Sequence, residues 1–69
     1  MAIEVVVYQV EAMVREGRKH PVTRTQDGDG LTLKEAHALA KAMLADLEAE
    51  YPGWTQAEMS IHYNLFFVL

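Results

Sequence analysis

The sequence contains no cysteine, and it has only two prolines and four glycines among 69 residues. The lack of cysteine excludes a disulfide framework and is typical of a reducing compartment. No apolar run approaches the roughly 20 residues that a membrane-spanning helix needs. The opening residues, M-A-I-E-V-V-V, lack the basic segment of a signal peptide. We therefore expect a cytoplasmic protein that makes no membrane contact.

Residue patterns that carry catalysis or bind cofactors are also missing. There is no cysteine nucleophile, and the serines and threonines stand in no triad or elbow context. The three histidines, His20, His37 and His62, do not have the spacing of zinc ligands. No glycine-rich loop suited to a phosphate group opens a helix. We expect no enzyme, no catalytic residues, no cofactor and no metal.

One loop has an acidic pattern, T-Q-D-G-D-G-L-T-L-K-E-A. These twelve residues resemble the calcium loop of EF-hand proteins, because Asp27, Asp29 and Gly30 match its third, fifth and sixth positions. Thr25 and Ala36 stand where that family has its first aspartate and its bidentate glutamate, so oxygen ligands are missing. The pattern favours a polar turn whose acids stabilise the following helix. Whether this loop binds an ion stays open.

Four elements are predicted along a single domain, residues 1–69. A Val-rich strand covers Ile3 to Val14 and a turn at 15–18 contains Gly17, which supplies positive φ. A second strand covers roughly Lys19 to Thr25, and its proline places it at a sheet edge. A loop follows at 27–30.

A helix is predicted from Leu33 to Glu50. Thr32 and Glu35 form a capping box at its start, and Pro52-Gly53 ends it. Its apolar residues recur at spacings of three and four. They are Leu33, Ala36, Leu39, Ala40, Met43, Leu44, Leu47 and Tyr51. The last strand covers Met59 to Leu69.

The order β-β-α-β predicts an α+β fold. We expect a three-stranded antiparallel sheet of order 2-1-3, with the helix packed on one face. In an antiparallel pair the start of the first strand lies beside the end of the third. An apolar cluster should therefore form on the face without a helix, made of Ile3, Val5, Val7, Phe66 and Val68. We interpret this cluster as an interface; the alternative is that the face curls or is shielded by the loop at Trp54.

A chain of this size is only marginally stable alone. This small size and the uncovered apolar cluster together lead us to expect a homodimer, in which pairing of two third strands makes a six-stranded sheet and removes an exposed edge. The cluster itself is then either the dimer interface or the contact with a protein partner.

The net charge is −4, and the charges are unevenly distributed along the chain. Acids cluster late in the helix, and bases cluster in the hairpin; we place these two groups at separate ends of the domain, where they would orient a protein partner. An overall acidic chain repels a phosphate backbone, so direct nucleic-acid binding is not expected. The residues of the two groups are Asp46, Glu48 and Glu50, and Arg15, Arg18 and Lys19.

The small size, acidic charge and β-β-α-β outline resemble the single-domain inhibitors that phages encode against host defence, including anti-CRISPR proteins. This resemblance covers the whole chain and shares no motif. It implies a non-catalytic, homodimeric protein-binding module that occludes a surface of a larger, nucleic-acid-handling host protein. The alternative is a small nucleic-acid-associated protein that uses the basic hairpin.

Overall fold

The computed structural model describes residues 2–69, and it contains three strands and one helix. They are β1 (Ile3–Arg15), β2 (Val22–Gly28), α1 (Leu33–Glu50) and β3 (Gln56–Val68). The strands form one antiparallel sheet in the order β2-β1-β3, and α1 packs on one face of it. This confirms the predicted α+β architecture, including the central position of β1.

The turn between β1 and β2 is tied to the start of β3. Gly17 adopts a φ of 57°, a left-handed conformation that glycine adopts without steric cost. Its N–H donates to the hydroxyl of Thr55 at 2.9 Å, and the N–H of Thr55 donates to the carbonyl of Arg15 at 2.8 Å. The hairpin turn and the connection from α1 to β3 therefore lie at the same end of the sheet.

The bounds of all three strands differ from the prediction, and β1 differs only by the addition of Arg15. β2 runs from Val22 to Gly28, so Pro21 precedes it and the predicted loop residues Asp27 and Gly28 belong to the strand. Gly28 lies directly opposite Tyr8, where an added Cβ would stand 3.1 Å from the Tyr8 carbonyl oxygen. This glycine permits close backbone approach inside the sheet. β3 likewise begins three residues earlier than predicted and ends one residue earlier.

α1 has the predicted bounds, Leu33 to Glu50, and the predicted capping box. The backbone N–H of Glu35 donates to the Thr32 hydroxyl at 3.2 Å, and the Thr32 N–H donates to the Glu35 carboxylate at 3.1 Å. Two of the N–H groups that a helix start leaves without partners are satisfied in this way.

Replacing Thr32 with alanine should lower the free energy of unfolding by about 1 kcal/mol, because the Glu35 N–H loses its acceptor. Urea denaturation followed by circular dichroism measures this change. Thr32→Ser is the matched control, since a serine hydroxyl also caps, and it should stay within about 0.5 kcal/mol of the parent. Equal stability of the alanine variant and the parent would contradict the capping role.

The hydrophobic core lies between α1 and one half of the sheet. β3 adds partly buried side chains at Ala57, Met59 and Ile61. Leu33, which was predicted to belong to the buried stripe, is 57% exposed, because it begins the helix beyond the core. The buried residues are Val10, Ala12 and Val14 of β1, and Ala36, Ala40, Met43 and Leu47 of α1.

The helix is too short to cover the whole sheet. β1 and β3 have 13 residues each, about 43 Å of strand, whereas the 18 residues of α1 rise about 27 Å. β2 ends opposite Tyr8, so neither β2 nor α1 extends along residues 3–7. We call residues 3–7 of β1 and 64–68 of β3 the ribbon. It makes the molecule long and thin, with extents of 52 × 20 × 12 Å.

Candidate protein-binding surface

The face of the ribbon opposite the helix is apolar. Successive strand residues alternate between faces, and the even-numbered Val10, Ala12 and Val14 of β1 lie under α1. The odd-numbered residues therefore lie on the other face. There the register places Ile3 opposite Val68 and Val5 opposite Phe66. We call this surface the back patch. Its members are Ile3, Val5, Val7, Phe66 and Val68.

The back patch is open to solvent within the described chain. Ile3 is 63% exposed, Phe66 49% and Val68 51%, while Val5 and Val7 are half-buried. The structure thus brings together the five residues that the sequence placed in one cluster. Whether a partner covers them stays a prediction.

The alternative that the loop at Trp54 shields the back patch is wrong. The neighbouring Thr55 is hydrogen-bonded to the carbonyl of Arg15, at the far end of β1. Twelve residues of strand separate Arg15 from Ile3, which is about 40 Å. Trp54, itself 39% exposed, therefore lies at the opposite end of the molecule from the patch.

The other face of the ribbon is also apolar, and sequence reasoning missed its exposure. Val6 lies opposite Leu65; Val6 is 40% exposed, Leu65 45% and Phe67 66%. These residues lie on the face that carries α1, and the sequence predicted that the helix would cover it. Comparison of the lengths of helix and strand, 1.5 against about 3.3 Å per residue, is the signal that could have revealed the gap.

The exposed ribbon gives the chain more surface than a compact domain of its mass. The accessible surface is 5131 Å², whereas a compact folded monomer of 7.8 kDa exposes about 4,400 Å². The excess is about 700 Å². The radius of gyration, 14.7 Å, likewise exceeds the roughly 11 Å of a compact domain of this length.

Three acidic residues lie on the same face as the back patch, further along the strands towards the hairpin. Asp27 of β2 and Glu58 of β3 are diagonal neighbours of Glu11 in the register, roughly 7–8 Å from it. We call Glu11, Asp27 and Glu58 the acidic band. Sequence reasoning missed this group, because its members come from three different strands. The alternation of faces combined with the register identifies them.

The predicted charge groups do not lie at separate ends of the domain. Arg24 of β2 forms an ion pair with Glu50 at the end of α1, and this hydrogen bond to Glu50 raises the pKa of Arg24. The helix therefore ends beside the basic hairpin, because α1 runs back along β1 towards Arg15. Arg18 and Lys19 are exposed in the turn, and Arg15 is half-buried.

The predicted acids of the helix do not form one surface either. Glu50 faces β2 through its ion pair. Asp46, four residues earlier, also lies on that side and adds a favourable charge interaction with Arg24. Glu48 is rotated about 200° from Glu50 and lies on the other side of the helix. Two of the three predicted acids, Asp46 and Glu50, therefore lie near the basic hairpin, and Glu48 does not.

The described residues, 2–69, contain neither a pocket nor a group of three or more His, Asp or Glu side chains placed to hold a metal ion. Asp27, a residue of the EF-hand-like pattern, lies within β2. In the same part of the chain no helix has the length and apolar character needed to cross a membrane. Comparison of the chain with protein-family models, with curated proteins and with solved structures finds no match.

Proposed function

We propose that this protein is a non-catalytic protein-binding module that inhibits a larger, nucleic-acid-handling host protein by covering one of its surfaces. The observation that carries the proposal is the back patch, an apolar surface at the end of a projecting ribbon. Contiguous apolar patches of this kind mark interaction sites. The ribbon carries the patch beyond the end of the helix, where no other part of the described chain covers it.

The acidic band indicates which charges the partner's surface should carry. Interfaces combine an apolar centre with a polar surround. Here Glu11, Asp27 and Glu58 lie on the face of the back patch towards the hairpin. Asp27 is nearest to the patch, as a diagonal neighbour of Val7. A complementary partner presents an apolar depression bordered by Lys or Arg. Proteins that handle nucleic acids carry such basic surfaces, and opposite charge accelerates the encounter and fixes its orientation.

The arrangement favours a protein partner over nucleic acid. Arg24 of β2 is already paired with Glu50, and the net charge of the chain is −4. The exposed bases of the turn, Arg18 and Lys19, lie at the end of the molecule away from the back patch. A nucleic-acid contact through the turn would lose affinity steeply with salt.

Phe66 and Phe67 offer a matched pair of substitutions, because they are neighbours in sequence on opposite faces of the ribbon. Phe66→Lys places a charge in the centre of the back patch and should weaken partner binding by at least about 30-fold, the loss expected at an interface hot spot. Phe67→Lys places the same charge on the helix-bearing face and should leave the affinity per protomer within about threefold.

The partner is first identified by affinity capture with the parent chain and with Phe66→Lys as baits. A protein enriched by the parent and lost with Phe66→Lys is purified, and its dissociation constants for the parent and for both variants are measured by calorimetry. Titration of its activity should reach full inhibition at a fixed molar ratio, as occlusion requires. Equal binding of the parent and Phe66→Lys would contradict the assignment of the back patch.

A further inference from the structure

The two edges of the sheet are unequally protected against pairing with another chain. β2 has seven residues, is preceded by Pro21, and carries Arg24 and Asp27. Short length, proline and charge are the usual devices that keep an edge strand from pairing. β3 has 13 residues, no proline and no lysine or arginine. Its whole outer edge therefore presents backbone N–H and C=O groups that a further strand can use.

The helix also leaves an apolar side above the open edge of β3. Glu50 faces β2 through Arg24, so residues on the opposite side of the buried stripe face β3. Helical spacing places Leu33, Leu44 and Tyr51 on this side. Leu33 is 57% exposed, and Leu44 and Tyr51 are only partly buried. A strand added beside β3 would lie under this apolar side of α1.

We infer that a second copy of this chain pairs with β3, antiparallel, about a two-fold axis at His62. His62 is the midpoint of Gln56–Val68, so this register pairs all 13 residues, with Gln56 of one copy opposite Val68 of the other. Residues that face each other across an antiparallel pair share a face. Both helices then lie on the same side of one six-stranded sheet.

This register covers two of the apolar side chains that the short helix leaves exposed, Leu65 and Phe67. It places Leu65 of the second copy beside Met59 and Phe67 of the second copy beside Ala57. Both then lie against the side of α1 that carries Leu44 and Tyr51. The same contacts are made twice, as two-fold symmetry requires. An unrelated extended peptide could use the edge, but it would place apolar residues at these two positions only if its own sequence happened to match.

The area available agrees with a second copy as the occupant. The chain exposes about 700 Å² more than a compact domain of its mass, near the roughly 800 Å² per partner of a standard interface. On the other face Phe66 would lie opposite Glu58 of the second copy, so the two back patches stay open. Dimer formation is therefore independent of partner binding through the back patch, and either proposal can be wrong while the other is right.

Single cysteines test the register directly, because the chain has no cysteine of its own. Only the residue on the two-fold axis has its own copy directly opposite, at a Cα separation of about 4.5–5.5 Å, within disulfide range. Oxidised His62→Cys should therefore form a covalent dimer. Ser60→Cys alone and Asn64→Cys alone should not, whereas a mixture of the two should cross-link, since Ser60 lies opposite Asn64 in this register.

Light scattering on the unmodified chain provides the second readout. The parent should be a dimer at about 100 μM, and Phe67→Lys should raise the dimer dissociation constant at least about 30-fold. Phe66→Lys should remain dimeric. A monomeric parent, or Ser60→Cys that cross-links with itself as readily as His62→Cys, would overturn the inference. Loss of partner binding by Phe66→Lys with an intact dimer would leave both proposals standing.

Discussion

Replacing Leu47 with alanine is expected to lower the free energy of unfolding by about 2–5 kcal/mol. Leu47 has no exposed surface and is among the largest fully buried side chains. Its removal leaves a cavity between α1 and the sheet that neighbouring side chains fill only in part. A domain of this size has about 5 kcal/mol or less of stability from its own core, so much of the chain should unfold at room temperature.

Leu69→Ala is the matched control for that prediction. It makes the same substitution beyond the end of β3, where Leu69 is 99% exposed, and its cost should stay below about 1 kcal/mol. Urea denaturation must be carried out at one protein concentration, because pairing of two copies would make stability concentration-dependent. Equal losses in the two variants would mean that the buried stripe of α1 is misplaced.

Replacing Ala40 with leucine is expected to cost about 1–3 kcal/mol by overpacking. Ala40 and Ala36 of the helix and Ala12 of β1 all have no exposed surface, so small side chains let the helix lie close to the sheet. The three additional carbon atoms of a leucine side chain have no space there unless α1 moves away from the sheet.

Ala42→Leu is the control for overpacking, because Ala42 lies exposed on the outer side of the same helix. Alanine and leucine have similar helix propensities, so the change in stability should be within about 0.5 kcal/mol. This prediction is tested by measuring the thermal midpoints of both variants by circular dichroism. A stable Ala40→Leu variant would show that the helix and the sheet are not in close contact at this point.

The helix was predictable because several local signals agree. Thr32 and Glu35 define its start, Pro52-Gly53 defines its end, and the apolar spacing between them fits one buried stripe. The bounds of β2 were wrong because Asp27 and Gly28 have the composition of a loop. Their place in the strand depends on the register with Tyr8, a tertiary contact that local propensity does not encode.

Part of the candidate site was also predictable from simple rules of strand geometry. Alternation of faces and the antiparallel order were enough to group Val5 with Phe66. Prediction of the acidic band would have required the register of both strand pairs. Prediction that Glu50 lies beside Arg24 would have required the direction in which α1 crosses the sheet. Charges that are distant in sequence were wrongly placed apart in space, because the helix returns along β1 to the hairpin.

Hydrogen exchange on the complex with the captured partner tests the central claim most directly, since it reports the contact surface without a substitution. The account predicts that partner binding slows exchange in residues 3–7 and 64–68, the two strands of the ribbon. Exchange in residues 33–50, the helix, should change little. Slower exchange confined to the helix or to the hairpin turn at residues 16–21, with an unchanged ribbon, would contradict the account.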